Sequence, residues 1–200
     1  MKRFIVISLT LLLFVPVLEA VHTQSSEESR EEIREMLEER DREIKDLLGP
    51  RGSDYTDEQR DQLRNMINDV IDFRTMASTA LGDKYQEISD EEREEFVSLF
   101  STIIRDQSLN RLDIYRAEVS YEEIEVDGDN AEVKTIARLE NVRTPVDYTM
   151  KRENGEWVIT DMIIDEVSTA ASYNRQFQNI IRQRGFDALL ESLRRRAARA

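Results

Sequence analysis

The chain of 200 residues contains no cysteine. That absence removes disulfides, thiol nucleophiles, thiolate metal sites and a lipid-attached N-terminal cysteine, so the protein must fold by burial alone. Histidine is almost as scarce: His22 is the only one, in an N-terminal stretch of the kind that is usually disordered, which leaves zinc chemistry without donors. Only six glycines occur, and the one close pair, Gly49 and Gly52, precedes no Gly-Lys-Ser/Thr; a phosphate-cradling loop is not encoded. No internal repeat is apparent. Positive charge is also in deficit, with 28 basic against 42 acidic side chains and a net charge of -14. Nucleic acid and anionic membrane surfaces carry the same sign as the protein, which argues against both as partners.

The one long apolar run lies at the start. In "MKRFIVISLTLLLFVPVLEA", Lys2 and Arg3 precede an uncharged stretch from Phe4 to Leu18, and Ala20 offers a small residue for cleavage. The run is too short to span a bilayer, which takes about 20 residues. Residues 1–20 are expected to be a cleaved secretory signal peptide, leaving one domain over 21–200 with a net charge of -15 and enough chain for a sizeable core.

Along that domain the first half reads as helix. Ser25 and Glu28 have capping-box spacing ahead of Ile33, Met36, Leu37, Ile44, Leu47 and Leu48, with Gly49-Pro50 as a stop. Thr56 and Gln59 repeat the start signal, Asp72 re-caps a short helix, Gly82 closes it, and Ser89 with Glu92 opens another carrying Phe96, Leu99, Phe100, Ile103 and Ile104 on one face. Near Ala117 the period changes from 3.6 to 2. Four strands are expected, with hairpin turns at Asp127-Gly128-Asp129-Asn130 and Glu153-Asn154-Gly155. In the first strand Val119 and Tyr121 are odd while Ile124 and Val126 are even, a slip that a bulge would produce and that would bend the sheet. Two further helices follow, one through Tyr173, Phe177, Ile180 and Ile181, the other, past Gly185, through Phe186, Leu189, Leu190 and Leu193. The expected fold is α+β: a helical part over about 25–115, a curved antiparallel four-stranded sheet over about 117–165 and C-terminal helices over about 169–196. A bent sheet with helices on its concave side forms a half-cone, which closes over either packed side chains or a guest molecule.

The stretch "WVITDMII", Trp157 to Ile164, places apolar residues at both odd and even positions. A strand with one wet face would alternate, so apolar cover on both faces is expected, supplied by an ordinary core or in part by a ligand. Asp161 and Asp165 share one face of this strand about 13 Å apart, too far for a shared-proton pair. One buried Asp could act as a general base in a half-cone enzyme acting on a small hydrophobic molecule; equally, each could accept hydrogen bonds from a turn or helix N-terminus or face an arginine. Arg194, Arg195, Arg196 and Arg199 suit the C-terminal pole of the last helix, or a docking patch for an acidic partner or lipid headgroups.

"VIDFRTMASTALG" (Val70 to Gly82), the helix opening "SDEEREEFVSLF", and "WVITDMIIDEVSTAASYNRQF" followed by "LLESL" together resemble the MlaC family of periplasmic phospholipid-transport proteins. The ordered set Asp72-Phe73, Leu81-Gly82, Trp157, Asp161, Val167-Ser168 and Gln176-Phe177 carries the likeness; Glu166 stands where the family usually has Gly, and "DQSLNRL" lacks the family's common Thr-Tyr. The resemblance implies a nuclear-transport-factor-two-like sheet joined to helices around a deep apolar pocket, and a monomeric, non-catalytic periplasmic shuttle. It would carry lipid between an outer-membrane lipoprotein complex and an inner-membrane ABC transporter complex. Phospholipid would be its cargo, with no other cofactor and no metal. On that reading the lining would be Phe73, Met76, Phe96, Phe100, Ile103, Val133, Val146, Tyr148, Met162, Ile164 and Tyr173, which the helix and strand periods turn toward the concave side.

Overall fold

The computed structural model describes residues 17–199 apart from 51, 53, 54, 110 and 111. Of the expected signal peptide, the first 16 residues lie outside the described residues.

Helix α1, Val17–Leu48, is longer than the sequence pattern suggested. Ser25 is inside it and does not cap it: its carbonyl accepts from Ser29 Oγ at 2.9 Å, so the Ser25/Glu28 spacing is a charged helical surface with no break before it. The stop behaves as expected. Gly49 takes a positive φ of 55°, and its N–H bonds the Lys45 carbonyl at 3.1 Å. Helix α2, Asp57–Asn68, has a complete capping box: Gln59 N–H donates to Thr56 Oγ1 at 3.2 Å and Thr56 N–H to Gln59 Oε1 at 3.0 Å. Asp72 caps α3, Phe73–Leu81, by accepting from the N–H groups of Arg74 and Thr75. A single turn, α4, Lys84–Glu87, leads to the Ser89/Glu92 box that opens α5, Asp90–Leu109. A 3₁₀ turn, Leu112–Arg116, precedes the sheet.

The sheet has five antiparallel strands in simple sequential order and does not close: β1 Glu118–Asp127, β2 Asn130–Leu139, β3 Val142–Glu153, β4 Glu156–Ile164 and the two-residue β5 Val167–Ser168. The fifth strand corrects the expected four; two residues are too few to show a periodicity. The β3–β4 hairpin uses Asn154 and Gly155, both at positive φ, as a two-residue loop of this kind requires. The slip in β1 is real: pairing with β2 shifts between Tyr121 and Glu123. A second shift corrects the reading of β4. Thr149 pairs with Asp161 but Met150 pairs with Ile159, so Thr160 is an extra residue, and the odd Trp157 and Ile159 share a face with the even Met162 and Ile164. Trp157, Ile159, Met162 and Ile164 are thus one apolar face with a bulge in it, and the half-buried Val158 and Ile163 lie on the other.

Helices α6, Thr169–Arg184, and α7, Phe186–Ala197, are separated by Gly185 as the sequence indicates. Three cores result. Helices α3 to α7 enclose Phe73, Met76, Phe96, Phe100, Tyr173, Phe177 and Leu189. The sheet face holding Ile124, Val133, Met150, Trp157 and Ile159 packs under Ile33 and Leu37 of α1. Farther along α1, Ile44 and Leu48 pack instead on Leu63 and Ile67 of α2. The end of α1 is held by Arg116, whose guanidinium donates to the carbonyls of Leu48, Gly49 and Pro50 and to Tyr55 Oη, satisfying carbonyls that a helix end leaves without partners.

Candidate functional site

Cross-strand pairing arranges the covered face of the sheet in rows. Ala131, Met150 and Ile159 form one row, with Val126 at its β1 end; Ile124, Val133, Tyr148 and Met162 form the next; Tyr121, Thr135, Val146 and Ile164 the third. On β3 and β4 burial falls along this sequence of rows, while on β2 Val133 and Thr135 both stay buried. Ala131, Met150 and Ile159 are buried, Val133 is buried while Tyr148 and Met162 are only partly so, and Ile164 is 44% exposed beside Val167 at 51%. The physical reason lies in α1. Its apolar positions Ile33 and Leu37 meet the first rows, then its stripe turns to α2, and over the later rows it offers Arg34, Glu38 and Asp41.

Five of the eleven residues expected to line a pocket, Val133, Val146, Tyr148, Met162 and Ile164, therefore stand together on two adjoining rows of this face. The other six are elsewhere. Phe73, Met76, Phe96, Phe100, Ile103 and Tyr173 belong to the helical core, where Phe96 stacks on Phe100 at 6.0 Å and Tyr173 meets Phe100 edge-on at 5.1 Å. Helical periodicity pointed them inward correctly, but inward for α5 and α6 is toward other helices.

Tyr121 and Tyr115 complete the neighbourhood of Tyr148; the expected lining included neither, although the strand pattern marked Tyr121. Burial pushes the Tyr148 phenol up to about 12, with the Asp41 and Asp147 carboxylates adding to it. Burial, then the neighbouring Tyr148, pushes Tyr115 up to about 12. Tyr121 is raised in the same way, by burial and then by Tyr148, Asp41 and Glu38, against the lowering effect of Arg34, whose guanidinium lies 5.4 Å over its ring. The result is an apolar floor with three phenols and one carboxylate-bearing helix around it. Spacing could have added Tyr121 to that lining, since it falls on the inward side of the β1 bulge; Tyr115 sits in a 3₁₀ turn with no readable period.

Asp161 is engaged structurally. Its carboxylate accepts from Met162 N–H at 2.9 Å, Ala170 N–H at 3.0 Å and the Ser168 hydroxyl, while Ser168 Oγ in turn caps α6 through Ala171 N–H at 3.0 Å. It fixes the start of α6 against β4. Asp165 is exposed in the turn after β4, at φ 50°. Of the C-terminal arginines, Arg194 holds Glu95 with two hydrogen bonds, Arg195 pairs with Glu191, and Arg196 lies 6.0 Å over the Tyr173 ring. Two open depressions, of about 360 and 730 Å³, lie at the end of α7 and along α6; both are lined by polar and charged residues, and neither is on the apolar sheet face.

No curated protein sequence matches this chain significantly. The family model described as MlaC protein matches residues 40–195. Among solved structures, one similar fold is that of a phospholipid-binding protein from Ralstonia solanacearum in complex with a phospholipid. The two superpose with a TM-score of 0.69 at 19% identity, over 85% of this chain and 97% of the other.

Proposed function

Since the chain belongs to the MlaC family, we propose that it is a periplasmic phospholipid carrier, exported by a cleaved signal peptide and passing lipid between an outer-membrane lipoprotein complex and an inner-membrane ABC transporter complex. The observation that carries this reading is the loss of cover along one apolar sheet face. Beside the fully buried Val133, the side chains of Tyr148 and Met162, then of Val146 and Ile164, share this face but are only partly covered. Acyl chains would lie on these rows, between the sheet and α1, with the headgroup toward the exposed end at Ile164. The phospholipid bound by the Ralstonia protein of the same fold supports that cargo class.

The energetics explain what such a face is for. Two acyl chains with about 30 methylenes lose on the order of 24 kcal/mol on entering water, so unaided transfer between membranes is extremely slow. A carrier must offer comparable apolar contact without exceeding the bilayer by much, or it would not release its cargo. A face that is apolar yet incompletely closed meets both conditions. No bond need be made or broken, and of the two carboxylates that could have served as a base Asp161 is occupied at the start of α6 and Asp165 is exposed in a turn.

The test is direct. Protein purified from cells expressing the full chain, extracted with organic solvent and analysed by mass spectrometry, should yield phospholipid in near-stoichiometric amount. Folded protein from which no lipid is recovered, and which takes up none from vesicles, would overturn the reading.

A further inference from the structure

Charge is unevenly divided along this acidic chain. From Val167 to the end there are seven arginines and two carboxylates, whereas the preceding residues hold 21 basic and 40 acidic side chains. Helix α6 contains no Asp or Glu. Part of its polar surface has an internal explanation: Asn174 Nδ2 donates to the carbonyls of Thr79 and Ala80, each at 3.3 Å, and Gln178 Nε2 to that of Leu81 at 2.8 Å, so these amides cap the end of α3. The remainder does not. Ser172, Arg175, Asn179 and Arg182 follow one another at spacings of three, four and three, a single stripe along the open groove of about 730 Å³. Arg175, Arg182 and Arg184 are exposed, and none of them is in an ion pair with a carboxylate among the described residues; Arg175 bonds only the Ser172 hydroxyl, at 2.9 Å. Arg194 and Arg195 on the next helix are paired with Glu95 and Glu191, whereas α6 has no carboxylate of its own within reach of its arginines at helical spacing.

The start of α6 adjoins the exposed end of the apolar face. Ile164 and Val167 stand directly opposite each other, 44% and 51% exposed, and α6 begins at Thr169. Arg175 then lies about 9 Å farther along the helix axis.

We propose that the basic stripe of α6 and the adjoining Ile164–Val167 pair form a surface that docks the protein on an anionic lipid bilayer, with the open end of the apolar face turned toward the membrane. This deepens the carrier reading and rests on it. Guanidinium groups beside exposed aliphatic side chains match the layering of a bilayer interface, phosphate outside and hydrocarbon beneath. The acidic remainder is repelled by the same membrane, which orients the molecule on this pole and keeps the contact transient.

Flotation tests this with purified protein and two sets of vesicles, one of phosphatidylcholine alone and one of phosphatidylcholine and phosphatidylglycerol in equal parts. The wild type should partition more strongly onto the anionic vesicles, and less so as salt is added. The triple variant Arg175→Gln, Arg182→Gln, Arg184→Gln should lose the preference, by up to about fivefold in partitioning per charge removed; Val167→Asp should also weaken binding, and Arg194→Gln should leave it unchanged. Equal partitioning of the wild type onto both vesicles, or wild-type flotation of the triple variant, would overturn the proposal. So would retention of the wild type, but not the triple variant, on immobilised polyglutamate in the absence of vesicle binding, which would mark α6 as a protein-docking surface. Phospholipid extracted from the same preparations separates the two ideas: variants that keep their lipid and float unchanged refute docking alone, while preparations that never contain lipid refute the carrier whatever the flotation shows.

Discussion

Trp157 and Glu32 join the sheet to the first helix: the indole Nε1 donates to Glu32 Oε2 at 3.3 Å. The same carboxylate oxygen accepts from the Arg152 guanidinium, which also donates to Ser29 Oγ at 3.2 Å and lies 4.9 Å over the Trp157 ring. One end of the apolar face is thus locked to α1, while the other, at Ile164, is open.

Replacing Glu32 by Ala should destabilise the fold by about 1 kcal/mol, because Arg152 and the indole would lose a shared charged acceptor that is itself half exposed. Arg152 Nε is already buried without a partner, so the arginine has little left to fall back on. Urea denaturation of wild type and Glu32→Ala measures this, and identical midpoints would show that the junction contributes nothing.

Glu166 offers a gain in stability. With Asp165 it forms the turn between β4 and β5, and its φ of 64° is left-handed, a conformation that costs a side-chain-bearing residue about 1 kcal/mol. Glu166→Gly relieves that cost but adds freedom to the unfolded chain, for a net expectation of up to about 0.5 kcal/mol of stabilisation. Glu166→Val, β-branched at the same position, should destabilise. A calorimetric melting series of the three proteins gives the order Gly, Glu, Val from most to least stable; any other order removes the strain argument.

The two bulges show how far the sequence could be read. In β1 the change from odd Tyr121 to even Ile124 announces itself because charged residues fill the other face, and the register shift is where the pattern puts it. In β4 the same change, from Ile159 to Met162, is hidden because Val158 and Ile163 make the other parity apolar as well, so the strand looks two-faced. Caps were legible for a related reason: Thr56–Gln59, Asp72 and Ser89–Glu92 are local signals that need no partner. The failure at Ser25 is equally local, since a helix already running through a Ser-x-x-Glu sequence has no N–H groups left to cap. What no periodicity could supply is which element each inward face meets. Phe100 and Val133 both point inward, one into helices and the other onto the sheet face under α1.

The buried phenols predict sensitivity to alkali. Tyr148 and Tyr115 are each held up to about 12, the first by burial and then Asp41, the second by burial and then Tyr148. Because the folded state binds these protons more tightly than the unfolded chain, whose tyrosines ionise near pH 10, their contribution is complete below about pH 10 and disappears as pH rises toward 12. By linkage the loss should not exceed about 3 kcal/mol per tyrosine. Tyr148→Phe has no proton to lose at this position, so its stability should fall less steeply over that interval. Unfolding free energies of both proteins across the alkaline range, with tyrosinate absorbance followed in parallel, would expose the error if the two curves ran parallel.

The separation of the expected lining into two groups gives the sharpest test of the apolar face. Val146 and Met162 are only partly buried, so Val146→Asp and Met162→Asp leave a carboxylate that can reach water and should preserve the fold, while placing charge on the rows that would carry hydrocarbon. Bound phospholipid per folded protein should fall steeply in both. Phe100 is wholly enclosed among Phe96, Tyr173 and Phe177, and Phe100→Ala should cost about 3–5 kcal/mol by leaving a cavity. Molecules of that variant that remain folded should keep their lipid, because the residue is not on the face. Lipid-to-protein ratios, with circular dichroism as the check on folding, decide between the groups. Unchanged lipid in the two aspartate variants, or its selective loss from folded Phe100→Ala, would move the binding surface from the sheet into the helical core.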